Sequence, residues 1–396
     1  MIASARRAPS RRHVLRGLCA CSLVGLTACN ATTGNEPPLA AGYRPSAGTD
    51  EGGLWHSVEK IERETARSRY RIRDAELNRY LEEIITRLSP EFHADMRVYL
   101  LRTPYFNASM YPNGMMNVWT GLMLRAKDEA QLAAVLGHEI GHYTQRHSLS
   151  RFRDAKARND FSVFLNMGLA AAGVGAVGNL TNLMLVAGMF AYSREHEREA
   201  DDVGVTLMTK AGYRPMAASE IWQQLIDESE ADKDRRSQSL MFASHPAEQE
   251  RMATLKAKAE QLGNGGEGFA DRYREKIRSI RFMMLEDELR LRQYDRSLVL
   301  IQRLQKETPG DGELIYCEAE IYRLREGKDD LKLAETTYER SVQAANPPPQ
   351  AWRSLGLIQR RDGRHDAAVQ SFRKYLDLRP DAEDRAIITS YMEKAA

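Results

Sequence analysis

Asp128-Glu129-Ala130-Gln131-Leu132-Ala133-Ala134-Val135-Leu136-Gly137-His138-Glu139-Ile140-Gly141-His142 is the stretch on which the fold turns. Leu132, Val135 and Leu136 recur at helical spacing, so the run reads as one helix with an apolar stripe. Asp128 reads as its N-cap, with Gln131 three residues on as a capping-box partner. His138 and His142 are four apart and share one face, where two imidazoles can hold a single Zn²⁺. Glu139 lies between them and can take a proton from water at that ion. The plain alternative is a surface helix with two unligated histidines.

A catalytic zinc needs three protein ligands and one open position. The third ligand is expected from a second element, and Ser193 to Asp202 reads as a charged helix able to supply it. Glu197 and Asp201 share a face, so one can bind metal while the other accepts a hydrogen bond from a ligand histidine. Glu195 and Glu199 project elsewhere, towards surface pairs with Arg194 or Arg198. Spacing alone does not choose between Glu197 and its neighbours. His147 and His196 flank the motifs and read as non-ligands.

Residues 53–89 read as mainly helical, with Leu77, Leu81, Ile84, Ile85 and Leu88 on one face. Residues 96–101 and 115–120 read as strands, the second following a turn at Tyr111-Pro112-Asn113-Gly114. An edge strand ahead of a zinc helix can pair with an extended peptide and lay its scissile bond across the metal. Residues 161–192 are apolar and rich in Gly and Ala, broken by Asn166, Asn179, Thr181 and Asn182. They read as a buried or interfacial helical hairpin that can rest on a membrane. Residues 263–268 read as a linker. Beyond it, Trp352, Leu355, Gly356, Ala368, Phe372 and Pro380 fall on tetratricopeptide-repeat spacing. Ala319, Tyr322, Ala334 and Tyr338 fit a second repeat, and Ser297, Ile301, Leu304 and Pro309 a third. Stacked repeats build a concave binding surface rather than a catalytic one.

The 396 residues suffice for two or three domains, and a net charge of +2 carries no polyanion signal, so no nucleic-acid partner is expected. Arg6, Arg7, Arg11, Arg12 and Arg16 precede a short apolar run from Gly17 to Ala28, the pattern of an export signal. Leu26-Thr27-Ala28-Cys29 looks like a lipobox, with Cys29 the lipidated residue, and Ser10 to Leu15 resembles a twin-arginine signal. Only Cys317 of the four cysteines lies in the body, so no internal disulfide is expected there. The expected organisation is a signal peptide (1–29), a flexible tether (30–53), a catalytic domain (54–262), a linker (263–271) and a repeat domain (272–396).

In combination these features resemble the HtpX/Oma-type zinc metalloproteases, gluzincins with HExxH followed by ExxxD. Within them they resemble the BepA-like (beta-barrel assembly-enhancing) periplasmic proteases, which carry C-terminal tetratricopeptide repeats. The resemblance runs from Gly53 to the chain end. It rests on Phe106-Asn107-Ala108 with Pro112-Asn113-Gly114 and Gly121-Leu122, on His138 to His142, on Ser193-Arg194 with Glu197 to Asp201, and on Ser244-His245-Pro246 with Arg251.

The fold so implied is α+β and mainly helical, a zinc metalloprotease domain with a small sheet followed by an α-solenoid. The resemblance implies one Zn²⁺ per subunit on His138, His142 and Glu197, with Glu139 as general base and Asp201 supporting a ligand. His245 and Arg251 would stabilise the oxyanion beside the open position. His245 could instead fill that position and silence a resting enzyme. Asn107 and Ala108 would bind the peptide. Asn113 departs from the family's P-G-G turn, and Met110 and Tyr111 are bulkier than its usual residues.

The function implied is an exported, lipid-anchored periplasmic metalloendopeptidase acting on misassembled outer-membrane proteins. Its repeats would dock substrate or assembly machinery. Asn30 after Cys29, in place of a retaining Asp, favours the outer membrane. The alternatives are a periplasmic chaperone or scaffold with a closed zinc site, and a membrane-embedded protease whose 161–192 stretch spans.

Overall fold

The computed structural model describes residues 37–157, 192–232, 240–245, 249–263 and 265–393. The readings that fall on the leader, on Cys29 and on 161–191 lie outside the described residues. Helix α1 (Asp50–Arg67) and helix α2 (Ala75–Leu88) come first. Asp74 caps α2 by accepting from the Leu77 N–H. The five apolar positions expected on one face of α2 are all buried. Within the expected tether, Leu39 is buried and its N–H donates to the Thr144 carbonyl at 2.7 Å.

Three strands follow: β1 (Arg97–Leu101), β2 (Ala108–Met110) and β3 (Met115–Trp119), in the order β1-β3-β2. β1 runs parallel to β3 and β2 antiparallel to it. β3 is buried at every position, the polar Asn117 included. β2 was not expected from the sequence. Three residues are too few to display an alternation.

Helix α3 (Thr120–Arg125) leads into α4 (Glu129–Thr144), the helix that carries His138 and His142. Asp128 caps α4 by accepting from the Gln131 N–H at 2.9 Å. The Gln131 side chain reaches back to the Lys127 N–H, one residue ahead of the expected capping-box partner. Helix α5 (His147–Ala157) comes next, then α6 (Arg194–Lys210), α7 (Ala217–Glu230), α8 (Leu240–Ser244) and α9 (Gln249–Leu262). Among the described residues, no helix is long and apolar enough to cross a membrane.

The remaining helices are α10 (Ala270–Arg290), α11 (Tyr294–Glu307), α12 (Gly312–Arg325), α13 (Asp330–Gln343), α14 (Pro349–Arg361), α15 (His365–Leu378) and α16 (Arg385–Glu393). From α11 on, each packs against the next. A Cβ on Gly356 would lie 2.7 Å from the Phe372 ring, so its bare backbone is what lets α14 and α15 close. One buried apolar cluster runs from Leu39 through α4 and α10 to Ile358.

A buried ion network joins the two halves. Arg125 on α3 donates to Glu228 of α7 at 2.7 Å and to Glu288 of α10 at 3.0 Å. Arg303 of α11 donates to Glu228, and the Ser297 hydroxyl to Glu288. Both carboxylates are fully buried, so each needs its partner. Arg125→Met would leave Glu288 with no cation among these bonds. It should lower unfolding stability by about 3–5 kcal/mol, read as a lower urea midpoint by tryptophan fluorescence.

Candidate metal centre and active site

Helices α4 and α6 cross with almost no side chain between them. A Cβ on Gly141 would lie 2.8 Å from the Ala200 carbonyl oxygen, and one on Gly204 2.7 Å from the His138 backbone nitrogen. This approach brings Glu197 and Asp201 of α6 onto the histidine face of α4. Ser193 caps α6 by accepting from the His196 N–H, so the helix starts where Glu197 falls within its first turn.

His138, His142, Glu197 and His245 converge, and one ligand atom from each lies within 4.8 Å of all the others. His138 Nε2 and His142 Nε2 are 3.0 Å apart. Glu197 reaches them at 3.6 and 3.4 Å. His245 Nδ1 stands 2.9 Å from Glu197 and 3.2 Å from His138 Nε2. All four residues are at most 3% exposed. The sequence-read ligands are thus brought together, with His245 among them.

Partners outside the cluster hold these groups. His138 Nδ1 lies 2.9 Å from Asp201 Oδ1. With that carboxylate accepting, His138 carries its proton on Nδ1 and turns the Nε2 lone pair inwards. Arg251 donates to Asp201 at 2.8 Å and pairs with Glu197 at 2.6 Å, clamping both carboxylates. Tyr192 stacks on His142 at 3.8 Å between centroids, and Arg251 sits over the Trp222 ring. His147 lies beside the cluster, 2.8 Å from His142 Nδ1, and His196 stacks on His147.

Glu139 points to the same space. Its Oε2 accepts from the Met110 N–H of β2 at 3.1 Å. Its Oε1 is buried without a hydrogen-bond partner, 3.5 Å from His245 Nε2. Burial pushes the Glu139 carboxyl above its ordinary range, with His245 and His138 pulling against it. Burial acts on Glu197 in the same direction, but His245, His142 and Arg251 outweigh it and hold that carboxyl well below. Asp201 is also held low, Arg251 overcoming its burial. Burial keeps His142 neutral, its proton affinity well below the usual imidazole value.

Asn107 and Ala108 lie at the start of β2. The Asn107 carbonyl accepts from the Trp119 N–H, and the Tyr111 N–H donates to Met115. In an antiparallel pair the residues between turn their backbone groups the other way. Ala108 and Met110 therefore face the free edge, where Met110 already meets Glu139. The Asn107 amide oxygen is buried without a partner.

The donor set suits zinc. Two imidazoles and one carboxylate is a recurrent catalytic ligand set, and inward lone pairs beside a carboxylate call for a cation. The fold and the site together define a metallohydrolase centre, with HExxH on one helix and a carboxylate able to serve as third ligand on a second.

Residues 71–259 match the family model described as Peptidase family M48, so the chain carries a domain of this metallopeptidase family. A putative beta-barrel assembly-enhancing protease of Vibrio cholerae is 29% identical over 201 residues, 48% of this chain and 40% of that protein. The mitochondrial metalloendopeptidase OMA1 of Schizosaccharomyces pombe is 32% identical over 181 residues, 45% of this chain and 51% of that protein. A beta-barrel assembly-enhancing protease of Escherichia coli K12 is 25% identical over 261 residues, 61% of this chain and 53% of that protein. The chain spans about half the length of these curated relatives.

The approach of α4 to α6 gives a direct test. Gly204→Val places branched carbons against the His138 backbone and should cost about 1–3 kcal/mol of stability. Bound zinc should fall with it, measured by atomic absorption on chelator-washed, reloaded protein.

Proposed function

We propose that the chain is an exported zinc-dependent metalloendopeptidase that cleaves envelope proteins, misassembled outer-membrane proteins foremost. The buried convergence of His138, His142, Glu197 and Glu139 beside a free strand edge carries this reading. The relatives named beta-barrel assembly-enhancing proteases support the substrate class. The lipobox at Cys29 and the leader support export to the periplasm and anchorage at the outer membrane. The paired helices from α11 on support a repeat domain that docks substrate or assembly machinery, divided from the catalytic domain near 263–271.

His138, His142 and Glu197 would hold the zinc, which when bound polarises a carbonyl and acidifies water. The chain's own groups do the rest. The edge of β2 at Ala108 pairs with an extended substrate and sets its register over α4. Glu139, buried and raised in proton affinity, takes a proton from the attacking water at Oε1 and gives it to the leaving amine. Met110 fixes that carboxylate through Oε2. Asp201 orients His138, and Arg251 keeps Asp201 and Glu197 ionised. A displaced His245, with Arg251 behind it, is placed to stabilise the oxyanion.

His245 also supports a second reading. It lies against Glu197 and His138, and in this reading it fills the position that water and the substrate carbonyl need and so closes the resting site. A chain that never opened would serve as a periplasmic chaperone or scaffold instead.

Casein cleavage and zinc content together separate these readings. Glu139→Gln should keep zinc and lose cleavage by about 10²–10⁴-fold. His245→Ala should raise cleavage if His245 is a latch, and lower it with zinc retained if it is a catalytic stabiliser. No cleavage by any form, with Glu139→Gln protein still promoting outer-membrane protein assembly, would establish the scaffold.

A further inference from the structure

The two histidines of α4 are supported unequally. His138 has the carboxylate of Asp201 on its outer nitrogen. Among the described residues, no carboxylate meets the outer nitrogen of His142. Its Nδ1 meets His147 Nδ1 at 2.8 Å, and His147 Nε2 meets Glu199 Oε2 at 3.2 Å. The direction of this chain follows from its far end. Glu199 accepts, so His147 carries its proton on Nε2 and offers a lone pair at Nδ1. That lone pair accepts the Nδ1 proton of His142, which turns the His142 Nε2 lone pair towards His138 and Glu197.

We propose that His147 and Glu199 form a relay that orients His142 as a metal ligand, the counterpart of Asp201 behind His138. Both residues act through His142 and are positioning residues. The sequence presented them as a flanking non-ligand and a surface acid, and the relay gives each a task.

Two observations support the assignment. The His147 side chain is 3% exposed, so water does not compete for its bond to His142. His196 stacks on the His147 ring at 4.2 Å, and Tyr192 stacks on the His142 ring at 3.8 Å. Both rings are thereby held flat, and neither can swing off its partner.

The relay rests on the zinc reading above, and its test has to fail separately from that reading. Zn²⁺ affinity is measured by chelator competition on the full chain carrying Glu139→Gln, so that turnover plays no part. Thermal midpoints of the metal-free protein are measured alongside. His147→Leu keeps bulk and loses the acceptor, and should weaken zinc binding about ten- to a hundredfold. His147→Asn places an amide oxygen near the lost Nδ1 and should recover most of that loss. Glu199→Ala removes a side chain that is 44% exposed, so it leaves the fold intact and should cost less than His147→Leu. Long-range ¹H–¹⁵N spectra should show His142 in the Nδ1–H form in the parent and a mixture of forms in His147→Leu.

Unchanged zinc affinity in His147→Leu overturns the relay. So does an Asn variant as weak as the Leu variant with an equally lowered metal-free midpoint, because the contact is then structural. If the parent itself binds no zinc, the reading beneath the relay fails instead.

Discussion

The centre depends on how closely two backbones approach. Glu197 lies on a separate helix, and it reaches the histidines of α4 only because Gly141, Gly204 and Ala200 leave no bulk between the axes. The same approach sets the phase of α6. With Ala200 and Gly204 facing α4, Glu197 and Asp201 fall on the flanks of that contact, and Glu195 and Glu199 turn away from the metal. Packing thus chooses among four acids that charge alone treats as equal.

Burial then divides the carboxylates by role. Glu139 and Glu197 are equally inaccessible, and desolvation pushes both towards the neutral form. Arg251 stands against Glu197, while Glu139 has one backbone N–H and the edge of His245. One acid is therefore kept ionised, which suits the ligand role proposed for Glu197, and the other keeps proton affinity, which suits the base role proposed for Glu139. Two carboxylates whose surroundings push them apart are the usual mark of divided roles. Arg251 makes that division while touching no reacting atom in this arrangement.

Much of this was legible in the sequence, and for a plain reason. Helical periodicity, an N-cap and a four-residue histidine spacing are local, so α4 and its metal face could be read directly. The apolar face of α2 was equally plain. What the sequence concealed is non-local. β2 exists because β3 offers it an edge, and its three residues carry no pattern of their own. The Met110 bond to Glu139 belongs to the backbone, which no residue type announces. His147 looked like a bystander because its task depends on a Glu199 52 positions away. Arg125 and Glu288 are 163 positions apart, and nothing in either neighbourhood predicts that they meet.

That last pair bears on how the halves work together. α3 is the short bridge between β3, which holds the substrate strand in the proposed reading, and α4, which holds the metal ligands. Arg125 sits on this bridge and is gripped by acids from α7 and α10. The apolar core runs through the same junction without a break. The helices from α10 on are therefore fastened to the element that sets the distance between strand edge and histidine face. Gly266 reinforces the join, since a Cβ there would strike the Tyr213 carbonyl, and the Gly268 carbonyl accepts from Ala130 at the start of α4. If, as proposed, those helices dock a partner, it would be presented at a fixed offset from β2. In such an arrangement selection falls to what the arm can hold, and the cleft need only recognise an extended backbone.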